Sequence, residues 1–532
     1  MFPEYVRVNT RDLRLAIEAG MGPMSTFFDE RCEGLPFFGN AMTGTDAGNS
    51  HHESFSMAHI PGRWLNALLF AEDVLGIPAD AEAIETLRRW AYRSLTSAGI
   101  GFPACLDLDE MTAKKETDLH NLREVMHALY ALIRYRGDDA ARALGLSLIE
   151  AVDRYFDDEV CALREAEYTR DTGAKVQCWS GTHRYKSPFP VTFGRYIGPL
   201  VKFYLATGEP AALRQALRLK DACFAHVLNA RGDYDVEVFG GHTHSTTAMI
   251  SSLALLGEAT GDRAILKRVR RFMENGLSQI AVDFGWCIEG YQRADCVGEV
   301  NNTADILETC LVLARAGYAG YFARAERILR AHLLPSQLLD TCFVPADDDP
   351  AHVARYRLNE RAKGAFGFPC PYGHEYEPGA LVSFNWDIVG GATEGLCEAY
   401  CARISRDGRF ISVNLLFDVD DEDLTFTSPY GAEDTATLTL KREGACVRVR
   451  VPSRCAAVVA EGCEGIRQGE WLYLLTLRAG ERVRLRFHFE REREYVHFRQ
   501  HCFCVEWRGE EVCAMDAPGK RLKFFPPLNE RE

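Results

Sequence analysis

The chain reads as a mainly helical ring followed by an all-β domain: an (α/α)6 toroid over residues 1–405 and a β-sandwich over 406–532. Three observations predict this. From about residue 57 to 401, an amphipathic helical pattern of roughly 15–20 residues, a polar or glycine-bearing loop and a second such pattern recur. No fixed sequence period accompanies the recurrence, which favours a closed ring over an open superhelix of repeats. After Arg403 the texture changes to short β-branched or aromatic runs, many alternating in period two.

Taken in order, WLNALLFAEDVLG is followed by AEAIETLRRWAYRSL, LREVMHALYALIRYRG by ARALGLSLIEAVDRYF, and YIGPLVKFYLATGE by AALRQALRLKDACFAHVL. TTAMISSLALLGEATGD precedes AILKRVRRFMENGL, and ILETCLVLARAG precedes YFARAERILRAHLL. Each pair predicts a helical hairpin. In most, the first helix is rich in Ala, Leu and Gly and suits the inside of a ring, while the second carries more Arg, Lys and Glu and suits its outer cover. Five or six such hairpins close the toroid. Beyond it, FISVNLLF, LTFTSP, ATLTLKR, CVRVRVPS, WLYLLTL and RVRLRFHFE predict strands, separated by the turns RDG, SPYGAED, REGA and RAGE.

The 532 residues exceed what one hydrophobic core supports, in keeping with two domains. A net charge of −15, from 76 acidic against 61 basic residues, argues against nucleic acid or an anionic membrane as partner and suits a neutral ligand. No apolar run approaches the ~20 residues of a membrane span. The start, MFPEYVRVNTRDLRL, lacks the apolar core of a signal peptide. Eighteen cysteines scattered without a framework read as reduced, mostly buried thiols, so the expected compartment is the cytoplasm.

Polar residues gather where each inner helix begins. They include His51, His52, Glu53, His59 and Arg63; His120 and His127; His242 and His244; Glu289, Asp295, Glu299, Asp305 and Glu308; and Asp387, placed as an N-cap. Parallel inner helices would bring these starts to one mouth, with Trp286 and Trp386 beside them. Aromatic faces with carboxylates and histidines suit a carbohydrate, whose C–H faces stack while its hydroxyls need paired donors and acceptors. Cys397 and Cys401 are spaced i, i+4, and Cys310 follows Glu308 by two; zinc takes about four ligands, usually in closely spaced pairs, and this pattern supplies only part of such a set.

These motifs resemble the bacterial β-L-arabinofuranosidases, which have an (α/α)6 barrel and β-sandwich domains. HNLREVMH, from His120 to His127, looks like that family's HELYxAGH segment, and GGHTHSTTAMISSLALLGEATGD, with His242, is similar to GHAVRAMYLLAG…TGD. EGY at Glu289 resembles the EGF or EAF that carries the acid/base glutamate, and NNTADILETC resembles PNETxYxETC, matching Glu308 and Cys310. FISVNLLF resembles IYVNLY, and VRVPS with WLYLLTLRAGERVRL resembles the family's LRIPSW…W…GD sandwich segment. The resemblance implies a zinc site of one glutamate and three cysteines, one of them the nucleophile. The family's adjacent Cys-Cys pair, however, falls on Trp386 and Asp387 here, so Glu308 and Cys310 keep only half of such a site unless Cys370 or Cys397 and Cys401 substitute.

The resulting expectation is a glycoside hydrolase acting on a small oligosaccharide or glycoside without a resident cofactor. Glu299 or Glu289 serves as acid and Asp387 as opposing carboxylate, His120, His127, His242 and His244 bind hydroxyls, and Trp286 and Trp386 flank the sugar. Two other readings stand beside it. One is a polysaccharide lyase or sugar isomerase pairing His242 or His244 with Tyr291 or Tyr372 and using Arg63, Arg195 and Arg293 as a basic clamp. The other is a non-catalytic sugar-binding protein.

Overall fold

The structure is a computed structural model that describes residues 12–44, 47–177, 188–292, 297–371, 373–374, 382–408, 410–475, 477–516 and 522–528. Six inner helices run in one sense: α2 (His59–Leu75), α4 (Leu122–Arg136), α6 (Ile197–Thr207), α8 (Thr243–Thr260), α10 (Val300–Arg315) and α12 (Asp387–Ala402). Each packs on the next, and α12 packs back on α2, so the ring is closed. The outer helices α3 (Ala81–Thr96), α5 (Asp139–Tyr155), α7 (Pro210–His226), α9 (Arg263–Glu274) and α11 (Gly320–Ile328) each cover the inner helix before them. The sixth cover comes from the other end of the helical region. Helix α1 (Leu13–Met24) lies against α12 and α2 and completes the last hairpin.

Local chemistry explains this layout. Helices α2, α4, α6 and α8 stop at a glycine in the left-handed conformation, Gly76, Gly137, Gly208 and Gly261. An aspartate soon after caps the next outer helix: Asp80, Asp138 and Asp262 accept the N–H of Ala83, Ala140 and Ala264 at 2.9, 3.0 and 2.8 Å. The inner helices are buried almost all round; every residue of α10 from Val300 to Ala314 is buried. No described helix is long and apolar enough to cross a membrane.

The β region begins directly after α12. Its strands are β1 (Ile404–Asp407), β2 (Phe410–Val413), β3 (Val419–Asp420), β4 (Leu424–Phe426), β5 (Thr435–Leu440), β6 (Cys446–Arg450), β7 (Cys455–Glu461), β8 (Gly465–Gln468), β9 (Trp471–Leu474) and β10 (Arg482–Phe489). They form two five-stranded sheets of order β1-β2-β6-β9-β8 and β3-β4-β5-β10-β7, with β2 and β6 parallel. Ile411, Val413, Val447, Val449, Leu472 and Leu474 from one sheet meet Leu424, Phe426, Leu438, Leu440, Val483, Leu485 and Phe487 from the other in one apolar core.

The last strands leave the sandwich. β11 (Arg491–Phe498), β12 (His501–Arg508) and β13 (Glu511–Met515) form a separate antiparallel sheet whose apolar side belongs to the core of the ring. Phe498 meets Trp286 edge-on at 5.0 Å, and Phe503 and Trp507 each stand 6.2 Å from Phe284.

Candidate active site

The mouth of the ring is shaped by a small sheet that precedes the last inner helix. Strand Ser383–Asn385 pairs with Gly39–Ala41, which pairs with Gly48–Ser50. The Trp386 N–H donates to the Phe38 carbonyl at 2.6 Å, which delivers Asp387 to the helix start. A cavity of about 360 Å³ opens there. Phe38, Phe55 and Phe368 line it, with the imidazoles of His59, His120, His242 and His244, the carboxyls of Glu289, Glu299 and Asp387, and the amide of Asn385.

Three chain segments hold the carboxyls. Glu299 occupies the cap position of α10 in extended conformation. Glu289 comes from the preceding loop, stitched by antiparallel bridges between Ile288 and Gly298 and between His242 and Gly290, and by the Thr243 hydroxyl, which donates to the Glu289 carbonyl at 2.9 Å. Asp387 is the first residue of α12. Asn301, the second residue of α10, donates from Nδ2 to Glu299 Oε1 at 2.8 Å and to Asp387 Oδ2 at 3.0 Å. His59 Nε2 lies 3.3 Å from Asp387 Oδ2, and His244 Nδ1 lies 3.5 Å from Glu299 Oε1.

The two bridged carboxyls titrate in opposite directions. Burial, reinforced by the charges of Asp387 and Glu289, pushes the Glu299 carboxyl well above the usual range. Burial works the same way on Asp387, but the hydrogen bond and charge of His59, then Arg63 and Asn301, bring it below its ordinary value. Burial also holds His120 and His244 neutral. Arg195 adds to this at both, with His242 and His59 at His120, and with Arg63 and Arg123 at His244.

Beneath the cavity lies a buried ionic layer. Glu124, fully inaccessible, accepts from Arg195 and from Arg123 Nη1 at 3.3 Å, and is ion-paired with Arg63, whose Nε lies 3.3 Å away. Burial alone would raise its carboxyl, but the three guanidiniums and His59 hold it well below the usual range. Arg63 Nη2 lies 2.8 Å from His244 Nε2, and Arg123 pairs with Asp305 at 3.1 Å. The layer fixes His244 and His59 from below. Close approach of the helices makes it possible, since a Cβ on Gly62 would stand 2.0 Å from the Glu124 carbonyl oxygen.

The structure brings Glu289, Glu299, Asp387, His120, His242 and His244 to one cavity, and it corrects the remaining expectations. Trp286 is buried, donates to the Pro369 carbonyl at 2.9 Å and packs on Phe498, away from the cavity. Trp386 is equally buried, stacked on Phe27 at 3.8 Å and donating to Asn49 Oδ1 at 2.8 Å. Phenylalanines form the aromatic wall instead. His127, two turns below His120, is sealed inside the ring, where burial keeps it neutral. Asp387 is not the cap of α12; Trp386 holds that position. Arg63 and Arg195 are committed to Glu124 and form no clamp at the mouth, and Tyr291 packs on Tyr234 under Arg499. Arg293, Asp295 and Tyr372 lie outside the described residues. His59 and Asn301 gain roles that the sequence did not assign: His59 stood there only among the polar residues at the inner-helix starts, and Asn301 only as one of a pair of asparagines opening NNTADILETC.

Glu308 and Cys310 do not converge. Two residues apart, they point to different sides of α10. Glu308 lies inside the ring beside Lys202 at 3.5 Å and accepts from Ser251, whereas the nearest charges to Cys310 are Arg324, Asp283 and Arg327. Burial pushes the Cys310 thiol up to about 12. The residues present therefore do not fit the family's zinc set. Neither Cys370 nor Cys397 and Cys401 joins a group of three donors among the described residues. His242, His244 and Glu299 do approach within 4.8 Å, but Arg63 against His244 opposes a second cation there.

No protein-family model matches the chain, and no curated protein does. Solved structures share its fold. A GH127 β-arabinofuranosidase superposes with a TM-score of 0.58 at 14% identity, over 95% of this chain and 83% of its own. A protein described as a glycoside hydrolase gives 0.56 at 13%, over 85% and 76%. A GH127 β-L-arabinofuranosidase from Geobacillus stearothermophilus T6 gives 0.53 at 13%, over 94% and 80%. At these identities the likeness is one of architecture, a helical ring with appended β-sheets.

Proposed function

We propose that this chain is a glycoside hydrolase that cleaves a glycosidic bond of a small carbohydrate at the mouth of the ring. Glu299 is the proton donor and Asp387 the opposing carboxylate. One observation carries the reading: two buried carboxyls share the amide of Asn301, the one pushed well above the usual carboxylate range and the other drawn below it. Glu299 gives its proton to the leaving oxygen, and Asp387 attacks or stabilises the anomeric carbon. Glu299 Oε1 and Asp387 Oδ2, hung on one nitrogen, stand no further apart than the two bonds laid end to end, nearer the ~5–5.5 Å of a retaining pair than the ~6.5–9.5 Å of an inverting one. The pair therefore suits retention. His120, His242 and His244 offer polar contacts to hydroxyls, and the three phenylalanines offer a face for the sugar ring.

The descriptions of two structural neighbours as β-arabinofuranosidases make aryl β-L-arabinofuranosides the first substrates to assay. Where the resemblance places the family's cysteine pair, this chain has Trp386 and Asp387, so a carboxylate takes the nucleophile's place. On a substrate that the wild type cleaves, Glu299→Gln and Asp387→Asn should each lower kcat by about 10²–10⁴ without changing the melting temperature, and the first-formed product should keep its anomeric configuration. Undiminished turnover in both variants, or an inverted product, sinks the assignment.

A sugar isomerase is the second reading, favoured by the two neutral imidazoles of His120 and His244 in the cavity. Oxygen from labelled water in the product marks hydrolysis; a ketose–aldose interconversion without it marks isomerisation. We place the protein in the cytoplasm, because every described cysteine is a free thiol. The protein denatured without reductant should accordingly titrate as 18 thiols, and a markedly lower count would oppose that compartment.

A further inference from the structure

A group of metal-binding side chains stands at the rim of the ring, outside the cavity. Asp29, Cys32 and His51 bring a carboxylate oxygen, a thiol sulfur and an imidazole nitrogen within 4.8 Å of one another. Asp29 precedes the short turn Glu30–Cys32, which carries Cys32 back beside it. His51 arrives 22 residues after Asp29, directly after strand Gly48–Ser50, with its ring stacked on Phe37 at 4.6 Å.

The two oxygens of Asp29 have separate tasks. Oδ1 accepts the Arg31 backbone N–H at 3.1 Å and lies 3.3 Å from Arg31 Nε, while Oδ2 faces His51 Nε2 at 3.2 Å. Arg31 thus orients the carboxylate and leaves Oδ2 to a ligand, the arrangement that outer groups impose on metal-binding carboxylates. Nitrogen and oxygen donors at ~2.0–2.1 Å from one zinc, at a tetrahedral angle, stand ~3.3 Å apart. The observed separation has that length. Asp29 is nearly inaccessible, whereas Cys32 and His51 are partly exposed, so the group is fixed from the protein side and reachable from solvent.

We propose that Asp29 Oδ2, Cys32 Sγ and His51 Nε2 bind a single zinc ion, with water as the fourth ligand. One sulfur, one nitrogen and one oxygen suit borderline-soft zinc; calcium and magnesium take oxygen donors. The metal replaces the contact between His51 and Asp29, and Cys32 binds as thiolate, releasing its proton to solvent. The ion ties the turn after α1 to strand Gly48–Ser50, which belongs to the small sheet that carries Asn385 into the mouth. Its place is separate from Glu308 and Cys310, and it touches no reacting group.

The test is cobalt substitution in the full-length chain stripped of metal by a chelator. A thiolate-to-cobalt charge-transfer band should develop, saturate with a single ion and be displaced by stoichiometric Zn²⁺. Cys32→Ser should abolish the band, His51→Gln should weaken cobalt binding by at least ~10-fold, and Cys310→Ser should leave the band unchanged. Equal melting temperatures of metal-free wild type and Cys32→Ser show that the variant folds. Lack of the band in the wild type, or its persistence in Cys32→Ser, overturns the proposal, and neither result bears on the carboxylates of the cavity.

Discussion

A single amide nitrogen couples the two carboxyls of the cavity. Asn301 donates to Glu299 and to Asp387, and a donor favours the charged form of each acceptor. The pH dependence follows from the directions of the two shifts. Under the proposed assignment, Asp387 must be ionised, and its folded value lies below the ordinary ~3.9, so the acid limb should fall below that pH. Glu299 must be protonated, and its value lies well above the ordinary ~4.3, so the alkaline limb should fall well above that pH. Asn301→Ala withdraws the donor from both, raises both values and should move the whole kcat/KM profile to higher pH. An unmoved profile would deny Asn301 this role. The cavity carboxylates and histidines were legible because they lie in polar, helix-starting segments, although only His120, His242 and His244 were given a role there. Trp286 and Trp386 misled because composition marks an aromatic side chain without saying which way it faces.

Between helices, contact distance decides what the sequence tolerates. A methyl group on Gly62 would sit 2.0 Å from the carbonyl oxygen of Glu124, and backbone cannot yield as a side chain can. Gly62→Ala should cost at least ~1–3 kcal/mol, read as a lower denaturant midpoint with unchanged slope. A methyl on Gly391 of α12 would meet Asn301 Oδ1 at 2.0 Å and Arg63 Nη1 at 3.0 Å. Gly391→Ala should therefore displace the shared amide and lower kcat more than it lowers stability, and a variant with wild-type kcat would contradict that geometry. Inner and outer helices were separable from their apolar patterns alone. The covering role of α1 was not, because its partner α12 lies at the other end of the helical region.

At the scale of the molecule, a buried charge network joins ring to sandwich. Glu326 of α11 accepts from Arg330 Nε at 2.9 Å, from Arg450 of β6 and from the Leu416 N–H at 3.2 Å; Arg330 in turn donates to the Leu416 carbonyl at 2.8 Å and stacks over Tyr430 at 3.8 Å. Removing Glu326 leaves two buried guanidiniums without their carboxylate. We propose that the chain divides at 405/406 into a helical and a β domain that this network locks together. Glu326→Ala should then cost ~3–5 kcal/mol and split one calorimetric transition into two. A single transition at the wild-type temperature would refute the lock. The sequence carried the strand pattern up to residue 489, but not the departure of β11–β13 from the sandwich, since alternation shows that a strand has an apolar face without naming what covers it.

Periodicity and composition determined the architecture of this chain: helices paired as inner and outer, a change to β after Arg403, and polar residues concentrated at the starts of inner helices. Those features are local, written in the 3.6- and 2-residue repeats of apolar side chains. Tertiary structure alone decided which polar residues meet. It covered the last inner helix with α1, turned Cys310 away from Glu308, set Asn301 between Glu299 and Asp387, and brought His51 to Asp29 and Cys32. The stretch from Glu289 to Cys310 shows the difference most plainly: its acids were evident in sequence, but burial, shared donors and neighbouring charges separate Glu299, a cavity carboxyl pushed well above the usual range, from Glu308, a carboxylate paired with Lys202 deep in the ring.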